Sequence, residues 1–149
     1  MELVDPIRFV LQRKGTQIWS VALTSSVYEA IEMMSDKKVG ALLVISEGQL
    51  AGIISERDYA RKVILKGRSS KQTEVQEVMS SPVITASPGQ TVAECMRIMT
   101  NSRIRHLPIV EEGRVVGILS IGDLVNWIIT AQEEVIQHLQ NYIAGSYPG

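Results

Sequence analysis

Apolar residues recur at helical spacing twice along the chain, at Val27, Ala30, Ile31 and Met34 and again at Val92, Cys95, Met96 and Met99. Each run follows a capping-box pattern, Ser26 with Glu29 and Thr91 with Glu94, whose side chains can satisfy the first orphan N–H groups of a helix. Two amphipathic helices are predicted. After each comes a short β-branched run, residues 42–45 and 107–110, that turns at Glu47-Gly48 or Glu112-Gly113 into a second run passing Gly52 or Gly117. Such a pair of runs about a two-residue turn reads as a hairpin. Ser55-Glu56-Arg57-Asp58 and Ser120-Ile121-Gly122-Asp123 then open a further helix, with Tyr59, Val63 and Ile64 in one copy and Leu124, Ile128 and Ile129 in the other.

These elements are two copies of one unit. An offset of 65 residues, with no gap, carries Val27, Glu29, Met34, Leu42, Glu47, Gly48, Gly52, Ile53, Ser55 and Asp58 onto identical residues at Val92, Glu94, Met99, Leu107, Glu112, Gly113, Gly117, Ile118, Ser120 and Asp123. Internal duplication at this period implies a repeated supersecondary unit. Adding leading strands near 18–21 and 83–86, the unit is β-α-β-β-α, and two copies joined by the polar stretch 67–77 are expected to pack their sheets together around one continuous core. The expected organisation is an N-terminal segment 1–15, a first repeat 16–66, a linker 67–78, a second repeat 79–130, and a C-terminal helix and tail 131–149. Along 124–143 the stripe Val135, Leu139 and Ile143 is expected to pack on a partner chain or back on 1–11. The closing Gly145-Ser146-Tyr147-Pro148-Gly149 is expected to be loose.

Composition narrows the function. The 149 residues are one domain's length, and Lys+Arg 15 against Asp+Glu 16 leaves a formal charge of −1, which argues against an electrostatically driven nucleic-acid binder. One cysteine permits neither an internal disulfide nor a cysteine-based zinc site, and a reducing cytoplasm fits. Residues 1–15 lack the pattern of a signal peptide, and the longest apolar run, 41–45, is far short of the roughly 20 residues that span a bilayer. A soluble, cytoplasmic protein with no membrane partner is expected. No Gly-x-x-x-x-Gly-Lys-Ser/Thr loop, Gly-x-Gly-x-x-Gly fingerprint, Gly-x-Ser-x-Gly elbow or metal-ligand spacing occurs, so no enzymatic role is expected.

The recurring Gly-x-x-Ser-x-x-Asp, Gly52 to Asp58 and Gly117 to Asp123, has two readings. Ser followed by Asp three residues on is a helix cap. The glycine also permits close backbone approach, a strand-to-helix junction offers N–H groups to an anion, and an acceptor-only carboxylate suits paired sugar hydroxyls. Arg103, Arg105 and His106 are the densest cationic cluster, although strand alternation turns at least one toward solvent. His106 could make affinity pH-dependent, whereas His138 lies on a polar helix face. Cys95 aligns with Ala30 on the apolar face and reads as a buried, inert thiol. Trp19 is either core or a stacking platform. Arg57, Arg61, Lys62, Lys66, Arg68 and Lys71 suit a solvated helix and linker, with phosphate binding by one or two of them as a further reading.

Both halves resemble cystathionine-beta-synthase-type (CBS) domains, and the chain resembles a stand-alone tandem pair over residues 16–130. The marks are Val39-Gly40-Ala41-Leu42-Leu43-Val44 with Gly52-Ile53-Ile54-Ser55-Glu56-Arg57-Asp58, and Ile104-Arg105-His106-Leu107-Pro108-Ile109 with Gly117-Ile118-Leu119-Ser120-Ile121-Gly122-Asp123. Met79-Ser80-Ser81-Pro82-Val83 is similar to the family's lead-in. The resemblance implies an α/β (α+β) fold of two repeats packed through their sheets with pseudo-two-fold symmetry. It implies a regulatory ligand, AMP, ADP, ATP, NAD or S-adenosylmethionine, held without chemistry in two cross-built clefts. One cleft would comprise Ile18, Trp19, Ser20, Val39, Gly40, Ala41, Arg57, Ser120 and Asp123, the other Ser55, Asp58, Val83, Ile84, Thr85, Arg105 and His106. Gly122 stands where the first copy has Arg57, so the clefts should differ. A homodimer and a separate effector protein are implied too, since the chain carries no fused effector. The alternative is a structural dimerisation module with vestigial clefts.

Overall fold

The computed structural model describes residues 3–144, so the expectation for the closing pentapeptide lies outside the described residues. The elements run α1 (Ile7–Lys14), β1 (Ser20–Val21), α2 (Val27–Lys37), β2 (Ala41–Ser46), β3 (Gln49–Ser55), α3 (Glu56–Tyr59), α4 (Val75–Val78), α5 (Val92–Ser102), β4 (His106–Glu111), β5 (Arg114–Ser120) and α6 (Ile121–Ile143), with a π-helical turn Ala60–Ile64 continuing α3. The fold is mixed α+β with small sheets, as the periodicity predicts. Two units form among the described residues, one from residues 17–85 with 112–115, the other from residues 3–16, 86–111 and 116–144.

In the first unit, β1 pairs parallel with β2 and β2 antiparallel with β3. Glu47 and Gly48 both take positive φ, 51° and 75°, the twist-matched turn that joins two strands through two residues. Ser26 caps α2 by accepting the Glu29 N–H at 3.0 Å, but no return bond from the Glu29 carboxylate is made, so the predicted box is half-formed; the same holds at Thr91 and Glu94. Lys38, in the left-handed region at φ 57°, ends α2. Val21, Val27, Ala30, Met34, Leu42, Val44, Ile54 and Val63 form the core, completed by Val75 and Val78 of α4. Residues 67–78 are thus not wholly polar connection: Thr73, Val75 and Val78 are buried.

The second repeat follows the same plan. β4 and β5 pair about Glu112 and Gly113, at φ 51° and 76°, and Arg103, at φ 55°, ends α5. The predicted leading strand at 83–86 contracts to a single parallel bridge between Ala86 and Ile109. In the first repeat the Leu43 N–H donates to the Trp19 carbonyl at 3.1 Å, extending the pairing beyond β1. The position equivalent to Leu43 is Pro108, which has no N–H, so this rung is absent from the second repeat.

The segment that closes each core comes from in front of the other repeat. Thr73 and Glu74, just before α4, pair with the start of α2, where the Val27 N–H donates to the Thr73 carbonyl at 2.9 Å. Asp5 and Pro6, just before α1, pair with the start of α5, where the Val92 N–H donates to the Asp5 carbonyl at 3.0 Å. Ile7, Val10 and Leu11 of α1 therefore enter the core with Val92, Cys95, Met99, Leu107, Ile109, Leu119, Leu124 and Trp127. This is why the buried residues fall into two clusters instead of the single continuous core expected. Each unit has its own lid. Gly52 and Gly117 admit these lids: a Cβ would collide with the Met79 thioether at Gly52 and with Leu11 at Gly117. Their close approach is thus taken by protein side chains.

The apolar face of α6 departs from expectation in part. Ile128, Val135 and Ile136 line an open groove of about 600 Å3 with Leu3 and Val4, whose side chains stay exposed, so residues 3–4 do not cover the helix. Val135, Leu139 and Ile143 are all exposed, as are Ile64 and Ile129 of the helices that follow the two hairpins.

Candidate functional site

Both Ser-x-x-Asp junctions form complete capping boxes. Ser55 Oγ accepts the Asp58 N–H at 3.2 Å while Asp58 Oδ2 accepts the Ser55 N–H at 3.0 Å; Ser120 Oγ and Asp123 Oδ2 do the same at 3.1 and 2.8 Å. Each junction lies against the corner of its own repeat, since the Glu56 N–H donates to the Gly40 carbonyl and the Ile121 N–H to the equivalent Arg105 carbonyl. Capping is therefore one role of these residues. What distinguishes the two carboxylates is their other partners.

Asp58 is buried. Its Oδ2 also accepts the Ser55 hydroxyl at 3.1 Å, and its Oδ1 accepts the Ser80 hydroxyl at 3.3 Å and lies 3.1 Å from the Lys62 ammonium, one helical turn along. Lys62 also donates to the Val78 carbonyl at 2.9 Å, which ties it to the lid. Asp123 is more open. Its ion-pair partner is Lys14, at the end of α1, whose ammonium lies 2.6 Å from Oδ2 and donates to the Ile118 carbonyl at 2.8 Å. A cavity of about 200 Å3 opens here, lined by Val10, Arg13, Lys14, Asp123, Asn126 and Trp127. Trp127 is buried with the Arg13 guanidinium 5.9 Å from its ring, and its indole Nε1 has no hydrogen-bond partner.

His106 stands half-buried at the start of β4. Burial holds its pKa below the usual imidazole value, the neighbouring Lys14 and Arg105 cations push the same way, and Asp123 opposes them. Arg105 is exposed just before β4, and Arg103 is the exposed residue that ends α5, so His106 is the one member of the cluster that is partly enclosed, and the two arginines face solvent outside the strand. Arg57 is exposed too. Trp19 is half-buried against the first core with the Lys37 ammonium 4.3 Å from its ring centroid. Ile18, Val39, Gly40 and Val83 are half-buried, Ala41 is buried, and Ser20, Ile84 and Thr85 are exposed. The two expected clefts each draw residues from both units. Cys95 is fully buried, and burial pushes its thiol up to about 11. His138 is exposed. Of the basic stretch, Arg68 pairs with Glu77 and Lys71 lies over Tyr28, which leaves it a largely solvated face. Among the described residues no cluster of His, Cys, Asp and Glu could hold a metal, and no helix is long and apolar enough to cross a membrane.

Lys14 and Trp127 were not singled out from the sequence, and Lys62 and Ser80, named there in the basic stretch and the lead-in, were not placed at Asp58. The signal was a change of register. Ile7, Val10 and Leu11 match Val75, Val78 and Met79 at an offset of 68, three more than the repeat itself, and that second match marks the lids.

A doubled hairpin-and-helix unit with a Ser-x-x-Asp junction in each copy defines a tandem-domain architecture, and the model of the CBS domain family matches residues 15–65 and 75–130. The chain belongs to the CBS-domain family and carries a pair of these domains. It is 41% identical over 138 residues to the mitochondrial CBS domain-containing protein CBSX3 of Arabidopsis thaliana, covering 89% of this chain and 66% of that protein. A protein with CBS domains from Burkholderia ambifaria MC40-6 superposes with a TM-score of 0.83 at 44% identity, covering 86% of this chain and 96% of that one. The CBS domain pair of MJ0100, solved with 5′-methylthioadenosine and S-adenosyl-L-methionine, shares the fold at a TM-score of 0.75 and 24% identity.

Proposed function

We propose that this chain is a non-catalytic regulatory module that binds an adenosine-containing ligand, AMP, ADP, ATP, NAD or S-adenosylmethionine, at its Ser-x-x-Asp junctions and passes the bound state to a separate protein. The observation that carries the reading is the Asp123 carboxylate, fixed by its capping box, partly open to solvent, and bordered by Lys14 and His106. A fixed acceptor beside the Lys14 cation suits a ribose bearing phosphates. The adenosine ligands of MJ0100 and the signal-transduction description of the Burkholderia protein support it. The two clefts are proposed as in the sequence reading, Ser120 and Asp123 with Ile18, Trp19, Ser20, 39–41 and Arg57, and Ser55 and Asp58 with 83–85, Arg105 and His106, within the domain limits given there. The exposed apolar residues of α6 support a homodimer. A cytoplasmic location is part of the proposal.

The test is thermal unfolding with each of the five ligands in turn. A ligand at 100 times its dissociation constant adds about 2.7 kcal/mol, a shift of several degrees. A shift with one ligand, lost in Asp58→Ala or Asp123→Ala, supports the sensor. No shift with any of them favours the structural dimerisation module, for which the groove beside α6 is the supporting feature.

A further inference from the structure

We infer that the chain binds one such ligand, at Asp123, and that Asp58 is a structural carboxylate. This rests on the reading above that a ribose is held at the Ser-x-x-Asp junctions, and narrows it from both junctions to one. A carboxylate offers about four lone-pair directions. At Asp58 they are occupied by the Ser55 N–H, the Ser55 hydroxyl, the Ser80 hydroxyl and the Lys62 ammonium, two on each oxygen. A diol could enter only by expelling one of these in a buried setting.

At Asp123 the Ser120 N–H and the Lys14 ammonium both fall on Oδ2, which leaves Oδ1 as an acceptor. The two acids are exposed to 25% and 11% at Asp123 and Asp58. The difference traces to one position: Lys62, which reaches back to Asp58, is equivalent to Trp127, which cannot form an ion pair. Trp127 lines the cavity at Asp123 with its indole Nε1 shut off from solvent. The cavity thus sets the carboxylate beside the Asn126 side chain and Lys14. A hydroxyl both donates and accepts, so a vicinal diol, as on ribose, matches this set.

Isothermal titration of the full chain with AMP, ATP and NAD tests the assignment. The expected result is one ligand per chain, affinity lowered about tenfold or more in Asp123→Asn, and lowered about three- to tenfold in Asn126→Ala, which removes the amide donor from the cavity wall. The stoichiometry needs no variant, and Asn126→Ala serves if Asp123→Asn does not fold. Two ligands per chain, or full-affinity binding retained in folded Asp123→Asn, overturns the inference while the sensor reading stands. No binding to the unaltered chain overturns both.

Discussion

The Lys14 ammonium meets the Asp123 carboxylate at 2.6 Å across a sequence separation of 109 residues. The pair fastens the end of α1 to the start of α6, and both side chains keep some contact with water. Lys14→Met should therefore lower stability by no more than about 1 kcal/mol, because an exposed pair is screened and its side chains lose entropy. Thermal melts at about 0.05 M and 1 M salt check it: the gap between variant and parent should narrow at high salt. A gap that widens would mean the contact is held by packing of the aliphatic stem.

Gly52→Ala should cost more than Gly117→Ala, both within about 1–3 kcal/mol of overpacking. At Gly117 the new methyl meets only the tip of Leu11, which can rotate away. At Gly52 it meets the Met79 side chain and also the Ser80 backbone carbonyl, which cannot. Urea denaturation of the two variants ranks them, and the reverse order would show that α4 yields more readily than α1.

Pro108→Leu should restore the missing rung of the second sheet. Leu43 already shows the bond in the first repeat, so an amide at position 108 should join the ladder and exchange slowly with deuterium. An amide there that exchanges at the rate of an exposed loop would count against the pairing argument.

His106 makes stability depend on pH. Its folded pKa lies below the unfolded value of about 6.5, so below that pH the unfolded chain binds more protons and stability falls as pH decreases toward the folded pKa. Melts between about pH 5 and 7.5 should fall on acidification, and His106→Gln should flatten that dependence. A slope unchanged in the variant would assign it to other groups.

Cys95, with its thiol pushed up to about 11 and no exposed surface, should resist an aromatic disulfide reagent at pH 8 until the second unit opens. The labelling rate should follow unfolding on addition of urea; immediate labelling in buffer would contradict the burial.

The repeat, the hairpins, the Ser-Asp junctions and the buried thiol were legible because each depends on neighbours close in sequence. Periodicity and turn chemistry are local rules. What was not legible depended on distant partners: that Gly52 and Gly117 face Met79 and Leu11, that Lys14 and Lys62 attend the two acids, and that Pro108 silences one strand. Once the register of 68 residues is seen, Ile7, Val10 and Leu11 become recognisable as lid residues. No local pattern could say which repeat they cover.

The exchanged lids also order the folding of a chain that emerges from the ribosome N-terminus first. Residues 17–85 have α4 in hand as soon as they are made, and only the short 112–115 segment of that unit arrives later. The helix α1 is synthesised first, yet its partners begin at residue 86, so it must wait, apolar face uncovered, for almost the whole chain. Cutting the gene between the repeats would for the same reason give two halves each holding the other's closing helix, and such halves should fold best when expressed together.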